Sequence, residues 1–321
     1  MGWDVELTEW PLGGPLVISL MVFLHLRMRL SHRRLQEWLH VWLGLYLSTS
    51  TLSQCVHEAG RAVEPLEEAL VDQVKQAALV PIDETGWKEG SKGLWLGCFV
   101  TVTPGLYLIG YRNREFLETV LGELFLGWLM SDGYWAYRPY PKRLRCGAPL
   151  LRKARGLEQS ANISEAKPFG QQGLSLMAEL MAAIYAAREG PPGENLRARF
   201  TPRLAAFKAL CERDAQAVHD KTRALAREFL NDGDAIWAIR NQPHLPLTHN
   251  TAERALRHWV IARLLSQGTR TPQGTRAFGL LASIIDTCRL RQVDPWPYLA
   301  EGVANRRRGE QVPPLPIPAF S

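Results

Sequence analysis

The sequence lacks the marks of several large classes. It has no CxxC pair, and its five cysteines (Cys55, Cys98, Cys146, Cys211 and Cys288) are widely spaced and odd in number. That argues against a zinc ribbon or knuckle, and the five read as buried reduced thiols. It also has no apolar run long enough for a bilayer. Pro15 to Leu24 is apolar, but His25, Arg27 and Arg29 end it, well short of the roughly 20 residues a spanning helix needs. Acidic Asp4, Glu6 and Glu9 precede the run, where a secretory signal carries basic residues. The run therefore reads as a buried helix, and the chain as an intracellular, cytoplasmic protein with no membrane partner. No internal repeat is visible.

What is present is globular in composition. The 321 residues are 46% hydrophobic and 22% charged, enough for one large domain or two modest ones with a core that needs no staples. The net charge of +6 favours a polyanionic partner without requiring one.

The pattern divides the chain into five parts. Residues 1–75 read as helical, with DNA binding as one role. Helical spacing runs through SHRRLQEWLHVWLGLYLS, Gly44 marks a stop, and Ser48, Thr49 and Ser50 offer caps for a second amphipathic helix, TLSQCVHEAGRAVEPLEEALVDQVKQ. A helix-turn-helix and a plain packed pair both fit. Residues 76–147 change character. ALVPIDET, GLWLGCFVTVTP and GLYLIGYR read as strands, REFLETVLGELF as a helix and LGWLMSDGYWAY as another strand. That order is an α/β plan. Residues 148–247 are helical and charged, with breaks at GPPGEN and NQPHLP, and read as a helical insertion. Residues 248–303 hold the helices NTAERALRHWVIARLL and AFGLLASIIDTCRLR around the loop SQGTRTPQG, with PWPYL as a stop. Residues 304–321 are a proline-rich tail, in which VPPLPIPAF reads as extended or disordered.

Three acids stand out by context. Asp83 ends an apolar strand in PIDETGW, Asp132 ends another in LMSDGYWAY, and Glu253 lies near a helix start in HNTAERALR. Carboxylates at neighbouring strand ends can converge on one point. Such a cluster is unfavourable without a cation. It suits magnesium, which prefers oxygen ligands, and two ions roughly 3.5–4 Å apart can drive an in-line displacement at phosphorus. Each acid also has a plain structural reading. Asp83 could be a loop acid after a strand, Asp132-Gly133 is an ordinary turn dipeptide, and Asn250 and Glu253 have capping-box spacing.

Several whole segments together resemble the insertion-sequence-66 transposase family. PIDETGW, MSDGYWAYR, NTAERALRHWVIARLLSQGTRTPQGTRAFGLLASIIDTCRLR and DPWPYL match it in order, over about residues 15–300. The resemblance implies a ribonuclease-H-like α/β fold: a mixed sheet flanked by helices, with a helical insertion and a helical N-terminal region. The core would comprise residues 76–147 and 248–303. It implies the first acid on the first strand, the second on the fourth strand and the third on a late helix. By position these are Asp83, Asp132 and Glu253, the catalytic and metal-binding acids of a DDE transposase working with two Mg2+ ions, or Mn2+ in their place. It implies DNA as partner, both element ends and target, a homo-oligomer in the DNA complex, accessory proteins of the same element, and a bacterial, nucleoid-associated location. Arg254, Arg257, Arg263, Arg270 and Arg276 become candidates for phosphate contacts; a solvated surface charge is the alternative for each. Trp87, Tyr134 and Trp135 are candidates for stacking on unpaired bases, while Trp95 reads as core.

The sequence departs from the family in places. Where relatives carry Cys-Trp-Ala-His, this chain has Cys146-Gly147-Ala148-Pro149. Where they have Arg-Lys, it has Arg263-Leu264. Relatives often carry an upstream coiled-coil or cysteine-rich DNA-binding region, which MGWDVELTEW does not resemble. Two rivals follow: a degenerate copy that grips DNA without cutting, and a metal-dependent nuclease with the same core that does not join strands. A helical structural protein is a third, opposed by the acids at strand ends.

Overall fold

Pro15, with its fixed φ, opens α1 (Pro15–Val22), and a π-helical turn, Phe23–Arg27, extends it. Ile18, Met21 and Val22 are buried, as the apolar run implies. The computed structural model describes residues 13–160, 165–189 and 195–318. The acids ahead of Pro15, the Gly-Pro break at 190–194 and the last three residues lie outside them. No helix among the described residues is long and apolar enough to cross a membrane.

Tertiary contacts divide the chain into two compact units, Met1–Phe125 with Thr251–Ser321, and Leu126–Asn250. In the first, α2 (His32–Leu43) is capped by Ser31, whose hydroxyl accepts the Arg34 N–H, and stops at Gly44 in the left-handed region with φ 64°. Ser48 caps α3 (Thr49–Val63). The expected single helix through to Gln76 is corrected. Pro65 brings no backbone N–H, and a 3-10 turn, Glu64–Leu66, separates α3 from α4 (Glu67–Lys75).

Three strands then form an antiparallel meander: β1 (Leu79–Glu89), β2 (Lys92–Val100) and β3 (Gly105–Gly110). β1 runs further than expected. Asp83 is its fifth residue, not its end, because Glu84 to Glu89 pair with Lys92 to Gly97 in the hairpin. Asn113 caps α5 (Arg114–Leu121).

The chain returns to this unit with α11 (Asn250–Ser266), α12 (Pro272–Leu290) and α13 (Pro295–Arg307). Phe278, Leu280, Leu281, Ile284, Ile285 and Cys288 of α12 are all buried. Burying a large apolar side chain stabilises by about 1.5–3 kcal/mol, so α12 is a main support of the core. Its hydroxyls also serve β3: Ser283 accepts the Tyr107 N–H at 2.8 Å and Thr287 the Gly105 N–H at 3.1 Å. Backbone donors that would otherwise lie open are thereby covered. PWPYL is not a stop but a start. Asp294 accepts the Trp296 N–H at 3.1 Å, and Pro295 fills the first position of α13, where a missing N–H costs nothing. Residues 304–307 of the expected tail belong to α13, and residues 310–318 beyond it have no regular secondary structure but are held: the Tyr298 hydroxyl donates to the Pro313 carbonyl at 2.9 Å and Arg291 to that of Pro316 at 2.5 Å.

The second unit contains the parallel pair β4 (Trp128–Ser131) and β5 (Arg143–Arg145), with Ser131 beside Arg145. The strand expected over LGWLMSDGYWAY covers only β4. Asp132 and Gly133 turn the chain into a 3-10 helix, Trp135–Tyr137. Around the pair stand α6 (Gly147–Glu158), α7 (Ala166–Glu189), α8 (Leu196–Asp214), α9 (Asp220–Asn231) and the short α10 (Gly233–Trp237). The chain is thus a mixed α/β protein, with antiparallel and parallel strand pairing and helices flanking the strands.

Candidate active site

Asp83 sits half-buried in the middle of β1, and its carboxylate accepts the Glu84 N–H at 2.9 Å. Register places it opposite Cys98, and Cys98 opposite Tyr107. Directly opposed residues share a face, so this row crosses all three strands on one side. The Cys98 thiol is fully buried and donates to the Ala252 carbonyl of α11 at 3.9 Å. Ala252 precedes Glu253, which is half-buried in the first turn of α11. One thiol therefore ties the row bearing Asp83 to the helix turn bearing Glu253. Burial, with Asp286 and Asp83 nearby, pushes that thiol well above its ordinary pKa, so it is an inert packing group.

Two further ties fix α11 on this face. Tyr107 Oη and Trp259 Nε1 both donate to Asp286 Oδ2, at 2.7 and 2.9 Å, linking β3, α11 and α12 through one carboxylate. Burial, then the nearby Cys98 and Asp286, pushes the Tyr107 phenol well above its ordinary value, so it stays a donor. Arg263 Nη1 donates to Thr85 Oγ1 and to the Gly86 carbonyl, both at 2.6 Å. Its role here is to hold α11 against β1, two residues beyond Asp83.

Asp132 directly follows β4 in the second unit. It is half-buried, and its Oδ1 accepts the Tyr134 N–H at 2.8 Å, closing a short turn. The turn reading and the strand-end reading of Asp132-Gly133 thus describe the same residues.

The arginines separate. Arg254, Arg257 and Arg270 are exposed. Arg276 is also exposed but bound to acids, with Nε 2.7 Å from Glu64 and Nη2 2.7 Å from Glu67. The aromatics separate too. Trp87 is only 2% exposed, donates to Thr269 Oγ1 at 3.1 Å and packs on Phe278, so it is core and not a stacking platform. Trp95 lies under the Arg112 guanidinium at 4.3 Å. Trp135 is 58% exposed beside Tyr134, at 5.5 Å between centroids.

One pair was missed in the sequence. Cys146 and His249 are both buried. Burial raises the Cys146 thiol, but the hydrogen bond and charge of His249, with backbone donors of His249 and Ala148, outweigh it and leave the thiol below its ordinary value. All five cysteines are free and buried, as expected, and Cys146 differs only in having His249 beside it. The two residues are far apart in the chain, and no spacing rule joins them.

A family model described as Transposase IS66 family matches residues 12–277. The chain belongs to that family. Among curated proteins it is 22% identical to the uncharacterized protein y4qI of Sinorhizobium fredii, over 85% of this chain and 56% of that protein. It is 29% identical to the uncharacterized protein y4jO of the same organism, over 40% of this chain and 37% of that protein. The chain thus spans little more than half the length of one relative and less of the other.

Proposed function

We propose that this IS66-family transposase cuts and joins DNA strands in a metal-dependent reaction, with Asp83, Asp132 and Glu253 as the acids that hold the metal. Family membership is the observation that carries the reading. The donor set supports it, since three carboxylates offer only oxygen, the ligand type that Mg2+ and Mn2+ prefer. Half-burial of all three supports it as well, because each is fixed in place yet open to solvent. When bound, two such ions would supply charge neutralisation at phosphorus and a more acidic nucleophilic oxygen.

The chain's own residues supply position. Glu84 N–H orients the Asp83 carboxylate, Tyr134 N–H that of Asp132, and Arg263 and Asp286 hold the helix that carries Glu253. Exposed Arg254, Arg257 and Arg270 are the DNA-backbone contacts of this reading. A water or a 3′-hydroxyl would displace in line, with no covalent protein intermediate. Two element ends must be paired, so the working form is an oligomer, with accessory proteins of the same element as further partners.

The test is transfer of labelled, pre-cut element ends into a plasmid, with Mg2+ against chelator and wild type against Asp132→Asn. Joined product that needs metal and disappears in the mutant supports the reading. A second reading is motivated by Pro149 and Leu264, where the sequence departs from the family pattern that it otherwise resembles. A degenerate copy would bind DNA in a salt-sensitive way and yield no product with any metal.

A further inference from the structure

We propose that Arg145 is a positioning residue for the Asp132 turn, acting through the face of its guanidinium against Gly133. The inference rests on Asp132 being an active-site acid, but all of its geometry lies within the second unit. Parallel pairing puts Ser131 beside Arg145, and the Ser131 carbonyl accepts the Cys146 N–H at 3.1 Å. Asp132 follows, with its carboxylate closed onto the Tyr134 N–H. Gly133 stands between them.

A Cβ on Gly133 would lie 2.5 Å from Arg145 Nη1 and 2.8 Å from both Cζ and Nη2. Gly133 is not among the glycines with positive φ, so close approach, not torsion, demands a glycine here. Contact with the tip of an arginine is cheap to relieve when the arginine can swing away. Arg145 cannot. Its side chain is 2% exposed, its Nε is 2.9 Å from Asp232 Oδ2, and its Nη2 donates to Glu228. Those acids are themselves held, Asp232 by Arg143 at 2.7 Å and Glu228 by Lys153 at 2.5 Å. Breaking a buried pair leaves an uncompensated charge in the interior, which breaking an exposed pair does not. The guanidinium is therefore a fixed plate. The turn that aims Asp132 is seated on it, and acids at the end of α9 hold the plate in place.

Two variants test this. Gly133→Ala lifts the turn off the plate and touches no charge. Arg145→Lys keeps the charge and removes the plane. The first readout is hydrogen–deuterium exchange of the Tyr134 amide in the full chain, without metal or DNA. Exchange about tenfold faster in both variants, with α7 amides as protected as in wild type, is the expected result. Unchanged Tyr134 exchange in folded variants would overturn the proposal. Should Arg145→Lys not fold, Gly133→Ala decides alone. The second readout is a Mn2+ titration of strand transfer, in which the half-saturating concentration should rise about tenfold in each variant. Wild-type titration curves in both variants would also count against positioning. If wild type itself joins no ends, the assignment of Asp132 to catalysis fails, and the exchange result still decides whether Arg145 seats the turn.

Discussion

His32 opens α2 with its ring tilted against that of His25, centroids 4.3 Å apart. His25 Nδ1 faces the Leu30 carbonyl at 2.7 Å and must donate to it, since a carbonyl only accepts. His32 Nε2 is buried and finds no partner among the described residues. Burial, then the positive charge that His25 and His57 can carry, lowers the His32 pKa from 6.5 to about 4. Burial lowers His25 as well. Between about pH 6.5 and 4 the unfolded chain takes up a proton at His32 that the folded chain refuses. The stabilising effect of neutral His32 is complete above that window and is lost as pH falls through it. Urea unfolding from pH 7 to 4 should show midpoints that fall with acidity, and the fall should be shallower in His32→Gln. Parallel curves for mutant and wild type would remove His32 as the cause.

At the scale of elements, the sequence was most legible where one face of one segment decides the outcome. Helical spacing identified α11 and α12, and serine and glycine marked the ends of α2 and α3. Legibility failed where a distant partner decides. β1 continues past Asp83 because β2 pairs with it, and nothing in Thr85-Gly86-Trp87-Lys88 announces that pairing locally. The PWPYL segment reads as a stop because proline both opens and ends helices, and only the Asp294 cap tells which. Asp83, Asp132 and Glu253 were legible as candidates through motifs. Their supports were not: Cys98, Arg145, Asp232 and Asp286 lie on other elements, and packing alone brings them near. Gly147 joins these scales. It opens α6 and lines an apolar cavity of about 80 Å³ with Leu144, Leu151, Met177, Leu180 and Ile236. A Cβ there would meet Met177 Cε at 3.4 Å, an ordinary contact. At about 24 cal/mol per Å³, an unfilled space of this size corresponds to about 2 kcal/mol. Gly147→Leu should therefore raise the melting temperature by several degrees. A lowered Tm would mean that the space is closed to a longer side chain.

For the whole molecule, net charge is a poor guide to where DNA would sit, because many of the 38 basic residues are already engaged. Arg307 is paired with Glu58, Arg112 with Glu84, Arg143 and Arg145 with acids of the second unit, and Arg276 with Glu64 and Glu67. An arginine whose charge is neutralised within the protein releases few counterions when DNA arrives. Arg257 and Arg270 are exposed and are the better candidates. The slope of log K against log salt changes by about 0.9 for each phosphate contact on duplex DNA. Arg257→Ala and Arg270→Ala should each flatten the slope by about that amount, and Arg276→Ala should leave it nearly unchanged while loosening the contact between α12 and α4. Fluorescence anisotropy of a labelled duplex between 50 and 200 mM salt reads all three, a range over which such contacts change affinity strongly. A slope that responds to Arg276 as much as to Arg270 would mean that DNA displaces Glu64 and Glu67, and the phosphate path would then run over α12 as well as α11.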